Sequence, residues 1–269
     1  MIPLYKFPRA GVDRERIREE SFARQHIAKQ GPEDFARQDF WPLMKRYLRQ
    51  GKTYLDVQCG TGGWVIFLHD EGYRVEGVDP SRRVAQAISE YEPEIPVRVA
   101  RPTELPYADG SVDGIVAIGA LESLEGRVPW ALNEWRRVLR EDGTLFFQVP
   151  YASPLRRATY LPLKQIEYAV KTELGQKPVF SAYLFTPSEL ARLSRAAGFA
   201  IVELSPHELP DPDAHFGLYH DWPFLRGERP YRLNAVGRAV KNLCQSISPW
   251  VVSTGLFAIA KVLPRPEQR

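Results

Sequence analysis

The sequence predicts an α/β fold with a doubly wound, mostly parallel sheet of seven strands. Strand-like and helical runs alternate from about residue 52 to about residue 148, which is typical of a parallel sheet built from βαβ units. A glycine-rich turn directly follows the first of these strands, and a capped helix precedes the sixth. Since no internal repeat or low-complexity tract interrupts this order, we expect one domain over residues 1–269.

The strands are predicted in order along the chain. The first is Thr53 to Val57, which leads into the glycine cluster and then into the helical "WVIFL". The second is "YRVEGVD", which ends at Asp79, and the third, fourth and fifth are "VRVA", "VDGIVAIG" and "TLFFQV". "AIVEL" and the stretch from Leu256 to Val262 supply the sixth strand and a seventh that closes the sheet.

The segment "TPSELARLSRAAGF" predicts a helix with defined ends. Thr186 is the expected N-cap, Pro187 the first helical residue, and Glu189 the reciprocal partner of the cap. Gly198 is the expected stop. Between the fourth and fifth strands, a helix is predicted from the spacing of Leu132, Trp135 and Leu139, with "EDG" turning the chain into the next strand.

Composition excludes several classes of protein. The chain is 44% hydrophobic with a net charge of +3, and we expect a soluble, cytoplasmic protein because its start shows no signal-peptide pattern. Its longest apolar stretch near the end, "PWVVSTGLFAIAKV", is shorter than the roughly 20 residues that span a bilayer. Two cysteines without metal-ligand spacing predict neither disulfides nor a metal site.

Two acidic residues end neighbouring strands. Asp56 lies near the end of the first strand and Asp79 ends the second, at the sheet edge where open parallel sheets bind ligands. An acid in the second position can accept hydrogen bonds from a ribose diol. The nicotinamide fingerprint G-x-G-x-x-G fails because Val65 occupies its third position, although a nicotinamide or nucleotide-sugar enzyme on this fold stays an alternative.

Five ordered motifs resemble those of the class I S-adenosylmethionine-dependent methyltransferases. They are "LDVQCGTG", "VEGVDPS", "TELPYADGSVDGIVAIGALESL", "ALNEWRRVLREDGTLFFQVP" and "FTPSELARLSRAAGF", and the resemblance covers about residues 45–205 plus the last strand. It implies a Rossmann-like methyltransferase fold and S-adenosylmethionine as cofactor, with Asp56 and the glycine loop at its amino-acid end and Asp79 at its ribose. The implied cofactor-binding residues are Asp56, Gln58, Cys59, Gly60, Gly62, Asp79, Pro80, Pro102, Thr103 and Ile118.

Three positions depart from the family pattern. Gln58 replaces the usual first glycine, Arg101 replaces an acid that faces adenine, and Ser123 replaces a frequent histidine. Gln58 matters only if its side chain enters the cofactor's space or its φ angle must be positive. Because Gly60 and Gly62 are kept, we expect a working site.

The regions outside the cofactor-binding core, residues 51–150, are predicted to serve the acceptor. Residues 1–50 form a helical N-terminal extension, and residues 151–185 and 205–250 are insertions too long for simple connections. Provided that the sixth strand runs parallel to its neighbours, both insertions leave the edge that holds the cofactor. Both contain basic and aromatic residues, which favours an anionic or amphipathic acceptor and at most peripheral membrane contact.

These considerations predict methyl transfer to a small-molecule, glycan-linked or lipid-linked acceptor, at oxygen. His220 is the candidate general base, ahead of Glu122, Tyr151, His207 and His215, and the predicted substrate residues are Tyr151, Arg156, Arg157, His215 and Tyr219. No aromatic-and-basic pattern indicates a nucleic-acid partner. The alternative is a methyltransferase-like protein that binds the cofactor without catalysis.

Overall fold

A computed structural model describes residues 1–7, 32–207, 239, 242–243 and 246–264 of the chain. Its α-helices are α1 (Pro32–Ala36), α2 (Trp41–Tyr47), α3 (Gly63–Asp70), α4 (Arg82–Tyr91), α5 (Val128–Val138), α6 (Leu161–Glu173), α7 (Pro187–Ala196) and α8 (Pro249–Val252). Its strands are β1 (Ile2–Lys6), β2 (Thr53–Val57), β3 (Arg74–Asp79), β4 (Val97–Val99), β5 (Val112–Ile118), β6 (Leu139–Pro150), β7 (Val179–Leu184), β8 (Phe199–His207) and β9 (Gly255–Val262).

Seven of these strands form one mostly parallel sheet in the order β4-β3-β2-β5-β6-β9-β8. The five strands from β4 to β6 pair in parallel, whereas β9 is antiparallel to both of its neighbours. The predicted fold class is therefore confirmed. The last strand does not close the sheet at an edge, however, because it inserts between β6 and β8.

The insertion of β9 corrects one expectation about the sixth predicted strand. This strand, β8, has β9 as its one neighbour in the sheet, and the pairing is antiparallel. Two successive antiparallel pairings nevertheless give β8 the same direction as β6. The chain therefore still leaves both strands at the sheet edge formed by the carboxyl ends of β2, β3 and β5.

Alternating side chains of the central strand β6 divide the core between the two faces of the sheet. Leu145 and Phe147 point to the face covered by α5, where Trp135 is fully buried. Phe146 points to the opposite face, which is covered by α2 and α3 and contains Met44. Both faces of the parallel strands are thus buried, and ligands can reach these strands at their ends.

The N-terminal extension is helical at α1 and α2, but its start needs a correction. Residues Ile2–Lys6 form a strand that pairs antiparallel with β7, in a small second sheet. The sequence "IPLYK" is too short to show a helical period, and its partner strand lies far along the chain. The terminal ammonium group of Met1 also forms an ion pair with Glu189 of α7. Residues 8–31 lie outside the described part of the chain.

Helix ends agree with the sequence in one place and differ in another. The capping box of α7 forms as predicted, with Thr186 and Glu189 exchanging side-chain to backbone hydrogen bonds. Helix α5 ends at Val138, one residue before the predicted Leu139, which instead begins β6 and pairs with Val112. None of the helices described for this chain is long and apolar enough to cross a membrane.

Candidate cofactor and acceptor site

The strand order reverses between β2 and β5, which places a crevice at their carboxyl ends. From β2 the chain proceeds through β3 to β4 on one side, and from β5 it proceeds to β6 on the other. In open α/β sheets, ligands bind at this reversal. The structure brings Asp56, Gln58, Asp79 and Ile118 to this edge, as their predicted role requires.

Asp79 ties the glycine loop to β3. Its Oδ2 accepts a hydrogen bond from the Gly60 amide at 3.0 Å, and its Oδ1 accepts one from the Ser81 amide at 2.9 Å. Each carboxylate oxygen has two lone pairs and can accept more than one hydrogen bond, as a role toward a ribose diol would require. Asp79 therefore shapes the loop in addition to its predicted ligand role. Pro80 lies between Asp79 and Ser81 and is exposed, and the two hydrogen bonds come from the amides of Gly60 and Ser81.

Gly62 forms the turn into α3 and allows no larger residue. Its φ of +79° lies in the left-handed region, and it stands as the N-cap of α3. A Cβ at this position would lie 2.7 Å from Cγ1 of the buried Ile88. The loop thus presents a bare backbone and a helix N-terminus to the crevice, which suits an anionic group such as a carboxylate.

Phe35 on α1 is a site neighbour that sequence reasoning missed. A Cβ built on Gly63 would lie 2.2 Å from Cζ of Phe35, so the ring lies directly against the start of α3. Phe35 also contacts the rings of Trp64 and Phe67. The second of two adjacent glycines, Gly63, was the available signal, because a helix start does not itself require it. The N-terminal extension therefore covers the glycine loop.

Asp56 is a buried acid with an unusual proton affinity. Its side chain is 2% exposed, and Oδ2 has no hydrogen-bond partner among the described residues. Burial raises the pKa of Asp56 to about 8, and the neighbouring charge of Asp79 adds to the increase. The carboxyl group does interact with the Val65 backbone amide, and a ligand cation such as an ammonium or sulfonium can further stabilise its charged form.

Two of the three departures from the family pattern contact each other. Gln58 Nε2 donates to Ser123 Oγ at 2.9 Å, which links the end of β2 to the short 3₁₀ turn after β5. Ser123 lies 2.9 Å from the carbonyl oxygen of Ala120 and 3.2 Å from Gln58 Oε1, so its single proton is shared between two acceptors. Gln58 also has a φ of +62° and is the one non-glycine residue with positive φ among those described. The two replacements thus form one polar bridge across the crevice.

Cys59 contributes backbone rather than thiol chemistry. Its amide donates to the Val78 carbonyl oxygen, and its side chain is buried against Gly77. Burial raises the pKa of the Cys59 thiol well above its usual range, so the thiol stays protonated. The predicted cofactor role of Cys59 can therefore be exerted only through the shape of the loop.

The residues predicted to lie near adenine, Pro102 and Thr103, are engaged in other parts of the structure. The carbonyl oxygen of Pro102 accepts a hydrogen bond from Trp135 Nε1 at 2.9 Å, and the Arg101 side chain is exposed. Thr103 lines a different pocket of about 530 Å³. The other residues that line this pocket are Arg127, Trp130, Asn133, Glu134 and Arg137. Contacts of Pro102 and Thr103 with adenine remain predictions.

The three described substrate candidates differ in burial and in their contacts. Tyr151 is buried at the end of β6, with its ring 6.3 Å from that of Trp250, and Arg157 is exposed nearby. Burial raises the pKa of Tyr151, and the charge of Arg157 partly offsets the increase. Arg156 is 2% exposed, and its Nη1 donates to the carbonyl oxygens of Tyr151 and Thr254. These contacts tie Arg156 to the backbone, and its role toward a substrate stays a prediction.

The predicted bases receive unequal support. His207 is buried, pairs with Gln148 at 2.8 Å between their nitrogens, and fills the space beside Gly255, so it is part of the core. Glu122 lies beside Gly119 at the end of β5, near the crevice. The predicted site residues His215, Tyr219 and His220 lie outside the described residues.

Comparisons with known proteins agree with this geometry. A family profile described as a methyltransferase domain matches residues 25–204. The chain is 27% identical over 186 residues to a demethylmenaquinone methyltransferase from Symbiobacterium thermophilum, covering 58% of this chain and 72% of that protein.

Solved structures with the same fold have lower identity. An S-adenosylmethionine-dependent methyltransferase from Methanosarcina mazei superposes with a TM-score of 0.59 at 19% identity, over 84% of this chain and 99% of the other. Geranyl diphosphate C-methyltransferase from Streptomyces coelicolor A3(2), in a complex that contains S-adenosyl-L-homocysteine, gives 0.54 at 16% identity, over 82% and 76%.

The profile match spans more than half of the chain and includes the whole crevice. Asp56, Asp79 and the loop from Gly60 to Gly62 occupy the positions that the five sequence motifs implied. The chain belongs to the methyltransferase-domain family and is a class I methyltransferase that uses S-adenosylmethionine.

Proposed function

We propose that the acceptor is a small or lipid-linked molecule with an apolar body, methylated at an acidic hydroxyl oxygen. The observation that carries this proposal is the group formed by Tyr151, Trp250 and Arg157, which combines two aromatic rings with one exposed cation. An apolar wall with few polar groups binds apolar molecules, and a single cation orients an anionic oxygen. This combination favours a lipid-linked acceptor over a glycan-linked one.

The position of this group relative to the crevice supports the proposal. Ile118, at the end of β5, pairs with Gln148 of the adjacent strand β6. Tyr151 follows three residues later, so its ring stands one strand away from the proposed cofactor crevice. The Tyr151 amide donates to the Thr254 carbonyl oxygen at 2.7 Å, which fixes the backbone beneath the ring. A rigid wall beside the crevice can hold an acceptor in line with a methyl group.

The cofactor's place in this arrangement follows from the crevice residues. Asp56 Oδ2 is a buried acceptor that a cation would satisfy, and the backbone from Gly60 to Gly62 leaves room for a ligand. Asp79 has acceptor capacity for ribose hydroxyls. When bound, the cofactor supplies a methyl group on a positively charged sulfur. The chain's own task is then to position the acceptor and exclude water.

The absence of a strong base among the described residues of the proposed site favours a methyl acceptor whose hydroxyl group loses its proton easily. We use neither of the two described histidines in this proposal, since His207 is buried against Gln148 and His69 lies at the far end of α3. The cation of Arg157 can stabilise a deprotonated oxygen, so an acidic hydroxyl needs no strong base. Glu122, which lies beside Gly119 after β5, would receive the proton.

The name of one relative is consistent with an acceptor that has an apolar body. Demethylmenaquinone methyltransferase from Symbiobacterium thermophilum acts on a quinone, and it shares 27% identity with this chain. We propose that this chain takes an acceptor of comparable apolar character. Residues 151–185, which include Tyr151 and Arg157 of the proposed acceptor wall, would determine which molecule is selected.

Methyl-labelled cofactor tests the proposal. The protein is incubated with S-adenosylmethionine labelled in its methyl group and with organic or aqueous cell extract, and ¹³C chemical shifts of the product then separate oxygen, nitrogen and carbon methyl groups. We expect an oxygen-methylated product in the organic phase. A product confined to the aqueous phase, or methylated at carbon or nitrogen, would contradict the proposal.

Substitutions test the proposed acceptor wall, formed by Tyr151, Trp250 and Arg157, in the same assay. Arg157→Gln should raise the acceptor KM about tenfold and leave cofactor affinity unchanged, because it removes one charge-assisted hydrogen bond. Arg192→Gln, which alters an exposed cation on α7, is the matched control. Equal kinetics for both variants would show that Arg157 does not contact the acceptor.

A further inference from the structure

Helix α6 carries its apolar residues on the outside. Leu163, Ile166, Val170 and Leu174 recur at helical spacing and are 38%, 61%, 52% and 71% exposed; we call them the outer stripe. No residue of α6 is buried. An amphipathic surface helix normally turns such a stripe toward the core. A contiguous exposed stripe therefore indicates an interaction surface.

The opposite side of α6 is held by the N-terminal strand. Tyr168 accepts a hydrogen bond from the Tyr5 amide at 2.9 Å, and its ring contacts those of Tyr5 and Phe7. Lys171 lies 5.3 Å from the centre of the Phe7 ring. These contacts fix the rotation of the helix about its axis. The outer stripe consequently faces away from β1.

The segment that carries the stripe has an excess of basic side chains, which favours an anionic partner. Residues 157–177 contain four basic and two acidic side chains. Lys164 and Lys171 both pair with Glu167, at 2.8 Å and 2.5 Å, so one carboxylate neutralises only one of the two cations. Arg157 and Lys177, which flank the helix in sequence, are exposed.

We infer that the outer stripe is the docking surface of this protein on an anionic lipid bilayer. An apolar stripe inserts between lipid headgroups, and flanking cations bind anionic headgroups. A second copy of the chain fits less well, because stripe-to-stripe contact would bring the two sets of cations together.

Docking through α6 would also fix the orientation of the crevice relative to the bilayer. The segment that contains α6 leaves the sheet at Pro150, at the same edge as the cofactor crevice. Bilayer binding needs neither cofactor nor acceptor. This inference therefore goes beyond the proposed function and can fail or succeed independently of it.

Vesicle sedimentation with the full chain tests the inference. We expect the protein to sediment with vesicles of phosphatidylcholine and phosphatidylglycerol, less with phosphatidylcholine alone, and less again at high salt. The double variant Ile166→Ser, Val170→Ser should reduce the partition coefficient about tenfold or more, because it removes two apolar side chains from the stripe. Both residues are exposed, so the melting temperature should stay unchanged.

The matched control is Trp130→Ser, which removes an equally exposed apolar residue, 63% exposed, from α5. It should leave vesicle binding unchanged. The inference is overturned if the wild-type protein does not bind anionic vesicles or if the stripe variant binds as well as the control. It is also overturned if the stripe variant converts a dimer into a monomer in equilibrium sedimentation, or if hydrogen exchange shows α6 covered by the rest of the chain.

Discussion

The carboxyl ends of β2 and β3 differ in construction from the segment that follows β6. The first region is made of backbone, two buried acids and a glycine loop, and its geometry tolerates almost no added atom. The second is made of side chains between Tyr151 and Leu184, many of them partly exposed. The first region holds a ligand common to a whole family, whereas the second can vary with the acceptor. Substitutions in the two regions should therefore have separable effects.

The largest effect is expected where the first region is most tightly packed. Gly62→Ala should lower the free energy of unfolding by about 2–4 kcal/mol, because it combines a positive φ with a clash against Ile88. Gly110→Ala is the control, since Gly110 has a φ of +59° but no neighbour within 4 Å. It should lose only about 1–2 kcal/mol. Urea denaturation gives both values, and equal losses would show that the space around Gly62 is not limiting.

Asp79→Ala should weaken S-adenosylhomocysteine binding by about 1.5–3 kcal/mol. The substitution removes acceptors for the ribose and also frees the Gly60 amide from its contact. Isothermal titration calorimetry measures the change, with the exposed Asp70→Ala as the control. Binding that is unchanged in Asp79→Ala would remove the ribose assignment.

The pKa of Asp56, raised to about 8, predicts two pH dependences. The folded state binds more protons than the unfolded state between about pH 4 and pH 8. The free energy of unfolding of the wild-type protein should therefore decrease as the pH rises through this range. Cofactor affinity should rise toward pH 8, because the ionised carboxylate attracts the cofactor's positive charge. Both trends should be absent in Asp56→Asn. Melting curves and calorimetry at several pH values test them, and parallel curves for the two proteins would contradict the raised pKa.

The turn and the strand ends of the first region could be predicted from the sequence because their requirements are carried by residue type, whereas their contacts with a ligand stay predictions. A turn with positive φ favours glycine, and a ribose needs a hydrogen-bond acceptor, so the placement of Gly62 and Asp79 could be predicted without a structure. Phe35 and the bridge between Gln58 and Ser123 could not be predicted, because they depend on distant segments meeting. Long-range pairing also hid β1, whose partner is β7. For Arg156, only the fold reveals that a basic residue is buried under backbone carbonyls.

The smallest effect is expected at the polar bridge. Gln58→Gly relieves about 1 kcal/mol of backbone strain but loses a hydrogen bond to Ser123 worth about 1 kcal/mol, so its net effect on stability should be close to zero. Ser123→Ala loses the hydrogen bond without relieving strain and should be destabilising by about 1 kcal/mol. Thermal unfolding measures the change in stability of each variant relative to the wild-type protein. A strong loss of cofactor binding in Gln58→Gly would show that the glutamine itself contacts the ligand.

Calorimetric titration of S-adenosylmethionine and S-adenosylhomocysteine tests most directly whether the two regions have separate roles. We predict saturable binding of one ligand per chain, weakened by Asp79→Ala and unaffected by Arg157→Gln, because only Asp79 belongs to the crevice between β2 and β5. Folded wild-type protein that binds neither ligand at about millimolar concentration would contradict it. Equal weakening by the two substitutions would also contradict it, since cofactor and acceptor regions would then not be distinct.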